Sequence, residues 1–262
     1  MIRQHHGAIV SHRFESLCGQ NGLVHGVYAR HGGVSPAPWQ SLNLSASTGD
    51  SSENVAKNHL RLYASLGYAP QSAVTSQQVH GNTVAIVTRD QRGARIPACD
   101  GLVTNQPDVV LLQRHADCPP IFLYDPKRRV VGVAHSGWRG TLTNIAGEMV
   151  HTVCQAFGSK PADLLAAIGP AIGACCYHVG NEVRRAFAEK YAQGHAWLSD
   201  GDSGKVYLNL SQAIEAQLRH AGVHQIETAN ICTACNVSEF YSARAENRLN
   251  GCFGAVIALQ GA

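Results

Sequence analysis

The chain has 262 residues, a length that fits one large domain or two small ones. Hydrophobic residues make up 45% of it, charged residues only 15%, and the formal net charge is +3, so it can bury a large core and has no strong charge bias. Basic residues are scattered apart from Lys127-Arg128-Arg129, which argues against nucleic-acid binding, and no apolar run reaches the roughly 18 residues of a membrane helix.

The first half of the chain predicts a strand, a helix and a hairpin. The strand covers residues 22–30 and ends in a Gly-Gly turn. The helix begins after Asp50 or Ser51 as its cap and runs to about Leu66, with Glu53 in its first turn and Gly67 as its stop. Residues 74–80 and 84–87 alternate between apolar and polar around a Gly-Asn pair, which is typical of a hairpin.

The second half mixes strands and helices without strict alternation. The clearest helix covers residues 141–157, because its apolar residues recur every three or four positions, and two more cover 181–191 and 209–221. This mixture favours an α+β fold, or sheets covered by helices, over a doubly wound fold. No linker is evident, so residues 1–262 are predicted to form a single domain. The short predicted strands are 101–104, 109–113, 121–124, 130–134, 164–168, 226–231 and 254–259.

Nine cysteines without a recognisable signal peptide predict reduced thiols and a cytoplasmic location. Cys175 and Cys176 are adjacent, so in an extended segment their side chains would point to opposite faces. Cys232 and Cys235 have the spacing of a redox or zinc pair. Because no second pair of that spacing occurs, a structural role near a turn is the favoured interpretation.

Three short segments each place one metal-ligand residue type beside small or turn-forming residues. They contain His80, Cys118 and His135, which offer two imidazoles and one thiolate. Three protein ligands with a fourth position left for water or substrate are typical of a catalytic zinc site. All three lie near the ends of predicted strands, where they could converge at one edge of a sheet. The alternative is chance, because the chain has 14 histidines, and a single His or Cys is more often a core or surface residue.

The residues after His135 suggest an anion site. Residues 136–140 are Gly-rich and lead directly into a predicted helix, whose N-terminus favours a phosphate or carboxylate. Gly137 and Gly140 could instead only shape the turn, and Arg139 could bind the anion or form a structural ion pair. Both interpretations stay open.

At these same residues the chain resembles the YfiH-like proteins, also called the laccase-domain or peptidoglycan-editing-factor family and described as purine nucleoside phosphorylases. The matching segments cover nearly the whole chain: His25-Gly26, Arg30 to Ser35, Ser41 to Leu44, Gln78 to Gly81, Asp100 to Thr104, Ala116 to Pro120, His135 to Gly140, Ile168 to Gly173, Cys175 to Tyr177, Cys232-Thr233 and Phe240 to Ser242.

The resemblance implies a catalytic zinc held by His80, Cys118 and His135. It implies an α+β fold of layered mixed β-sheets flanked by helices, in a superfamily that also contains cysteine hydrolases. The implied activities are phosphorolysis of adenosine, inosine, guanosine and methylthioadenosine, and deamination of adenosine. The expected partners are a nucleoside and phosphate, and the chain is expected to be a monomer. The older polyphenol-oxidase label fits poorly, since the chain has no His-X-His pair for a multicopper centre and copper is therefore disfavoured.

Five further residues are predicted to serve the site. Asp117, beside the thiolate, could orient an imidazole or handle a proton, or it could cap a turn. Arg30, Asn43, Gln78 and Arg244 are predicted to surround the substrate, with the two amides suited to the edges of a purine or ribose. For each of these four, a role in a turn or a backbone cap is the alternative.

The C-terminal part departs from the family pattern. Family members usually carry a second Arg after Arg244 and a Gly-Arg pair before the last strand, where this chain has Ala245 and Gly251-Cys252. Arg248 could supply the lost charge.

Two other classes of function stay open on the sequence. The first is a metal-free hydrolase for peptidoglycan precursors, with Cys118 as nucleophile and His135 or His80 as base. The second is a binding module of cell-wall metabolism, in which zinc is only structural.

Overall fold

The computed structural model describes residues 1–261, in which sixteen strands form three sheets. In chain order the strands are β1 (Ile2–His6), β2 (Ile9–Arg13), β3 (Leu23–Tyr28), β4 (Ala73–Ser76), β5 (Val84–Ile86), β6 (Arg95–Ile96), β7 (Gly101–Thr104), β8 (Val110–His115), β9 (Pro120–Asp125), β10 (Val130–His135), β11 (Leu165–Ile168), β12 (His178–Val179), β13 (Leu198–Asp200), β14 (Val206–Leu208), β15 (Gln225–Thr228) and β16 (Phe253–Leu259). The spatial orders are β1-β2-β3-β16-β8-β4-β6, β15-β11-β9-β10-β7-β5 and β12-β14-β13.

Five α-helices cover parts of these sheets. They are α1 (Ser52–Leu66), α2 (Trp138–Leu142), α3 (Ile145–Phe157), α4 (Asn181–Lys190) and α5 (Leu210–His220). Short 3₁₀ helices in the connections are Glu15–Leu17, Ala46–Thr48, Pro70–Ser72, Arg89–Gln91, Pro161–Asp163, Gly194–Trp197 and Asp202–Gly204. Within residues 1–261, every helix falls short of the length and apolar character that a membrane crossing requires.

The elements stack in four layers. Helix α1 packs its buried residue Leu62 against the outer face of the seven-stranded sheet. The main core lies between the two large sheets, where Phe253 of one and Phe122 of the other belong to the same apolar cluster. Helices α3 and α5 cover the far face of the six-stranded sheet, with Met149 and Ile214 buried there. The predicted α+β fold of layered mixed sheets with flanking helices is confirmed.

Of two predicted helices, one has the predicted ends and the other is divided in two. Helix α1 begins after Ser51, whose side chain accepts the N–H of Asn54, and ends at Gly67 in the left-handed conformation, as predicted. The single helix predicted over 141–157 is wrong. It is divided into α2 and α3 because Asn144 adopts a left-handed conformation with φ 63° and its side chain caps α3.

The hairpin predicted around residues 81 and 82 is also wrong. Strand β4 pairs with β8 in the seven-stranded sheet, whereas β5 pairs with β7 in the six-stranded sheet. The segment between them therefore crosses from one sheet to the other. The backbone N–H groups of residues 79–81 bond to the carboxylate of Asp100 rather than across a turn.

Strand register brings distant segments to one end of the six-stranded sheet. In the β9–β10 pair, His135 is opposite Pro120. In the β10–β7 pair, Ala134 is opposite Gly101, and in the parallel β5–β7 pair Val84 is also aligned with Gly101. The end of β10 and the segments that precede β5, β7 and β9 consequently meet at this end.

Candidate metal centre and its cleft

The three side chains predicted as ligands meet at the end of the six-stranded sheet. One potential ligand atom each of His80, Cys118 and His135 lies within 4.8 Å of the other two. The two imidazole ring centroids are 4.7 Å apart, with ring planes at 80°. His135 is buried, Cys118 is partly buried and His80 is exposed, so the group opens to solvent on the His80 side.

Asp100 organises this group, although the sequence analysis assigned it no role. Its fully buried Oδ1 accepts the Nδ1–H of His135 at 2.9 Å and the backbone N–H of His80 at 3.0 Å. Its Oδ2 accepts the backbone N–H groups of Val79 at 3.0 Å and Gly81 at 2.9 Å. A carboxylate that fixes one nitrogen of an imidazole leaves the other available as a metal ligand. The Nε2 atom of His135 is therefore the one directed at the thiol.

The same contacts hold His80 in an unusual conformation. His80 has φ 60°, in the left-handed region that residues with a Cβ rarely adopt. Three N–H bonds from consecutive residues to one carboxylate stabilise that turn. Burial alone raises the pKa of Asp100, but the hydrogen bonds from His135, Gly81 and Val79 outweigh it and lower the pKa, so the group is a carboxylate at neutral pH.

Cys118 lies on the crossover from β8 to β9. It follows Asp117, which has φ 89°, and its carbonyl accepts the Nδ1–H of the buried His115 at 3.0 Å. Burial raises the pKa of the Cys118 thiol, but the charge of His135 and hydrogen bonds with His135 and His80 outweigh it, and the pKa falls to about 6. The sulfur is therefore a thiolate near neutrality, the form that binds metals.

The pKa of His135 shifts in the opposite direction to that of Cys118. Burial lowers its pKa, but the charge of the Cys118 thiolate and the hydrogen bond to Asp100 raise it to about 9. These opposite shifts correspond to a Cys118 thiolate paired with a His135 imidazolium in the metal-free protein. A divalent cation would displace the imidazolium proton, because a thiolate and two imidazoles form a suitable ligand set for zinc.

Gly137 gives the group the room it needs. A Cβ at this position would lie 2.8 Å from Nδ1 of His80 and 3.1 Å from Sγ of Cys118. Distances that short require the side chains to move, so the glycine at the start of α2 is required by close approach to the ligands. Its φ of −72° is ordinary, and conformational freedom is not the reason for it.

Asp117 faces away from the imidazoles. Its Oδ1 accepts the hydroxyl of Thr233 at 2.7 Å, and its Oδ2 accepts the backbone N–H of Arg244 at 2.7 Å. The contact to an imidazole that was considered for Asp117 is made by Asp100 instead. Asp117 still borders the cleft, and its assignment as a catalytic residue stays a prediction.

Two of the predicted substrate residues lie in the cleft beside the candidate metal ligands. Gln78 lines it and donates its Nε2–H to the carbonyl of Arg114 at 2.8 Å. Arg244 also lines it, with its guanidinium 5.3 Å from the ring centroid of Tyr177 and a hydrogen bond to the carbonyl of His178.

The other two, Arg30 and Asn43, support loops behind the cleft. The guanidinium of Arg30 bonds to Glu246 at 2.9 Å and stacks on the ring of Tyr241 at 4.3 Å. The fully buried amide of Asn43 donates to Asp50 and accepts the backbone N–H of Cys252. Neither residue lines the cleft, and the polar groups of both are bound to other parts of the protein.

The cleft has a volume of about 880 Å³ and a strongly basic lining. Five arginines border it, namely Arg95, Arg114, Arg139, Arg244 and Arg248. Arg95 and Arg114 could not be predicted from the sequence, because the two come from separate strands, β6 and β8, and carry no motif. Arg248 lines the same cleft as Cys252, the residue that stands where the family has an arginine. An anion is the ligand that several converging guanidinium groups favour.

The chain matches the family model described as multi-copper polyphenol oxidoreductase laccase over residues 24–260. It is 36% identical over 241 residues to the purine nucleoside phosphorylase YlmD of Geobacillus stearothermophilus, covering 88% of each chain. It is 35% identical over 216 residues to the purine nucleoside phosphorylase YfiH of Escherichia coli, covering 82% of this chain and 85% of that one.

Two solved structures have the same fold. The crystal structure of YlmD from Geobacillus stearothermophilus superposes with a TM-score of 0.93 at 33% identity, covering 98% of both chains. That of the Bacillus licheniformis hypothetical protein YfiH superposes with a TM-score of 0.91 at 32% identity, covering 97% of both chains. These similarities extend over the strands and loops that build the centre.

Proposed function

Because the chain belongs to the YfiH-like, laccase-domain family, we propose that it is a zinc-dependent purine nucleoside phosphorylase. The observation that carries the proposal is the convergence of His80, Cys118 and His135 at the edge of an arginine-lined cleft. Relatives that bear the phosphorylase name cover most of the chain. A volume of about 880 Å³ suits a nucleoside together with a phosphate ion.

Zinc is the favoured metal because of the donor set. Zinc held by one thiolate and two imidazoles would act as a Lewis acid and activate an oxygen nucleophile near neutral pH. Among residues 1–261, His and Cys side chains gather in only two groups of three or more, and neither has the several imidazoles of a trinuclear copper centre. The copper in the family's description therefore has no matching ligand set here.

The chain's own residues would position the two substrates. The guanidinium groups of Arg114, Arg244 and Arg248 would bind phosphate, and the aromatic faces of Trp138 and Tyr177, which also border the cleft, would pack on the purine. Asp100 would keep His135 in one tautomer throughout. Phosphorolysis then breaks the bond between the purine and C1′ of the ribose and forms ribose 1-phosphate.

The test is a product profile. Purified protein is given adenosine with phosphate, and in parallel adenosine alone, and the products are separated by chromatography. We expect ribose 1-phosphate and adenine in the first reaction and inosine in both, with His80→Ala and Cys118→Ser reducing each product at least about 100-fold. Undiminished ribose 1-phosphate formation by His80→Ala would contradict the proposal. The same assay with inosine, guanosine and methylthioadenosine then ranks the substrate preferences of the protein.

A metal-free cysteine hydrolase is the second candidate, and one observation favours it. Cys118, His135 and Asp100 are linked in the order of a nucleophile, a base and an orienting carboxylate. The second imidazole, His80, has no role in such a triad but completes a metal ligand set. Iodoacetamide separates the two candidates, because a zinc-bound thiolate resists alkylation until a chelator is added, whereas a nucleophilic thiolate reacts at once.

A further inference from the structure

Four cysteines outside the catalytic centre form a second cluster. The sulfur atoms of Cys175, Cys176, Cys232 and Cys235 all lie within 4.8 Å of one another. The sulfur of Cys235 is 3.7 Å from that of Cys175 and 3.5 Å from that of Cys176. We call this group the four-cysteine cluster. The proposed phosphorolysis makes no use of it.

The cluster exists because the segment of Cys175 and Cys176 is a turn. The N–H of Cys176 bonds to the carbonyl of Gly173 at 3.0 Å, and that of Tyr177 bonds to the same carbonyl at 2.9 Å. In a turn, adjacent side chains can point the same way, whereas in the extended segment considered from the sequence they could not. Cys175 and Cys176 therefore supply the second pair of thiols, which the sequence alone did not reveal as a partner for Cys232 and Cys235.

The two cysteine segments are held together by backbone contacts. The N–H of Ala171 bonds to the carbonyl of Ile231 at 3.1 Å, and the N–H of Thr233 bonds to the carbonyl of Ala171 at 3.0 Å. The N–H of Gly173 donates to the sulfur of Cys232 at 3.2 Å, a contact that stabilises a thiolate. The fold therefore brings the two segments together, with Cys176 and Cys232 partly buried and Cys175 and Cys235 exposed.

The spacing of the sulfur atoms fits one zinc ion. A regular tetrahedron with zinc–sulfur bonds of about 2.3 Å has sulfur–sulfur edges of about 3.8 Å, close to the 3.5 and 3.7 Å observed. A disulfide would need sulfur atoms about 2.05 Å apart. An iron–sulfur cluster places several iron and sulfide atoms between its thiolates, which requires a wider set than one confined to 4.8 Å.

We propose that Cys175, Cys176, Cys232 and Cys235 bind one Zn²⁺ ion as a structural site, separate from the catalytic centre. Four thiolates fill the tetrahedral coordination of zinc and leave no position for a substrate, as in closed structural sites.

The cluster is connected to the wall of the cleft. Thr233, which lies between Cys232 and Cys235 in the sequence, donates its hydroxyl to Asp117 at 2.7 Å, and the N–H of Ile172 bonds to the carbonyl of Asp117 at 2.8 Å. Tyr177, the residue after Cys176, lines the cleft. The ion would therefore fix the turn that carries the catalytic thiolate.

The first test uses unmutated protein, so its result cannot be affected by a folding defect in a variant. Full-length protein is purified with reductant and without chelator, and its cysteines are alkylated and mapped by mass spectrometry. We expect Cys175, Cys176, Cys232 and Cys235 to be protected until a strong chelator is added, while Cys18 reacts without it. Cobalt-substituted protein should show intense thiolate-to-metal charge-transfer bands of a tetrathiolate site. Free alkylation of the four, or a disulfide among them, would overturn the proposal.

Variants separate this site from the catalytic one. The bound zinc per chain should be about two equivalents in the unmutated protein and about one in both the double variant Cys175→Ser with Cys235→Ser and the variant His80→Ala. Only the double variant should lose the tetrathiolate bands. The matched control Cys18→Ser with Cys154→Ser should keep both ions. A double variant with unchanged zinc content and bands refutes the structural site. If instead the catalytic proposal fails, His80→Ala should hold as much zinc as the unmutated protein, while the double variant still loses the tetrathiolate bands.

Discussion

At the scale of single residues, Asp100 determines the geometry of the candidate centre without being a ligand. One buried carboxylate orients His135 and also holds the turn that carries His80. Two of the three candidate ligands therefore depend on a single side chain. The motif around Asp100 was part of the family resemblance, but nothing in its local sequence reveals that it bonds to residues twenty positions earlier and thirty-five positions later.

We expect Asp100→Asn to weaken zinc binding about 10- to 100-fold, since an amide has one acceptor oxygen and cannot accept all four N–H groups. Competition with a chromophoric chelator measures the affinity. Asp125→Asn is the matched control, because Asp125 is equally buried and accepts two backbone N–H groups at the opposite end of the β9–β10 pair. Equal zinc affinities in the two variants would show that Asp100 has no special role.

Gly137→Ala should inactivate the centre without unfolding the chain. The added Cβ would press on His80 and Cys118, and a displacement of about 1 Å can reduce turnover about 100-fold. Stability should fall by only about 1 kcal/mol, as for an unfavourable helix cap. Gly26→Ala serves as control, because a Cβ there meets atoms no closer than 3.4 Å. Full activity of Gly137→Ala would mean that the ligands do not need this space.

Arg248→Ala should raise the KM for phosphate roughly tenfold and leave the affinity for nucleoside unchanged, because one charge-assisted hydrogen bond contributes about 1.5–3 kcal/mol at most. Initial rates at varied phosphate measure the effect. The exposed Arg128, in the turn between β9 and β10, gives the control Arg128→Ala. An unchanged KM for phosphate would show that Arg248 does not replace the arginine that family members carry where this chain has Cys252.

At the scale of elements, Glu239 joins the N-terminal strands to the C-terminal part. Its carboxylate accepts hydrogen bonds from Arg3 of β1, His12 of β2 and His31. Burial raises the pKa of Glu239, but these three bonds outweigh it and lower the pKa to about 2. The depressed pKa stabilises the folded state above the unfolded pKa of about 4.3, and this contribution is lost as pH falls from there towards 2.

Glu239→Gln should therefore lower the free energy of unfolding by about 1–2 kcal/mol at pH 7, after allowance for partial exposure of the carboxylate. The difference from the unmutated protein should shrink as pH falls below about 4.3. Urea denaturation at several pH values measures both. Glu189→Gln, on the exposed face of α4, is the control and should change little. A difference that stays constant down to pH 3 would contradict the ion pairing.

Elements also show where local patterns suffice and where they fail. The bounds of α1 follow from a cap, a period and a glycine stop, all of which lie within the helix or beside it. The break at Asn144 and the crossing between β4 and β5 could not be predicted, because a left-handed residue and a change of sheet leave the apolar period intact. The carboxylate that stabilises the crossing belongs to Asp100, which immediately precedes β7.

At the scale of the whole molecule, we expect two bound zinc ions whose removal has different effects on activity and stability. A mild chelator should first remove zinc from the three-residue centre, since it has fewer protein ligands and one exposed imidazole, and activity should fall while the melting temperature is nearly constant. A stronger chelator should then empty the four-cysteine cluster and lower the melting temperature by at least about 4 °C. Calorimetry together with a zinc-release assay measures the order in which the two ions are lost.

Readdition of zinc after the mild treatment should restore activity. Simultaneous loss of both ions, or a melting temperature that falls with the first ion, would contradict the division into a catalytic and a structural site.

By itself the sequence determined the family, the α+β class and the three residues predicted as ligands, because residue types and short motifs carry that information locally. It did not determine that Arg30 and Asn43 stand behind the cleft, that Asp100 governs the centre, that five arginines converge or that four cysteines meet. Those facts depend on strand register and on chain crossings between sheets, which set the distance between residues far apart along the chain. Only the tertiary structure fixes such distances, and metal binding and anion binding depend on them.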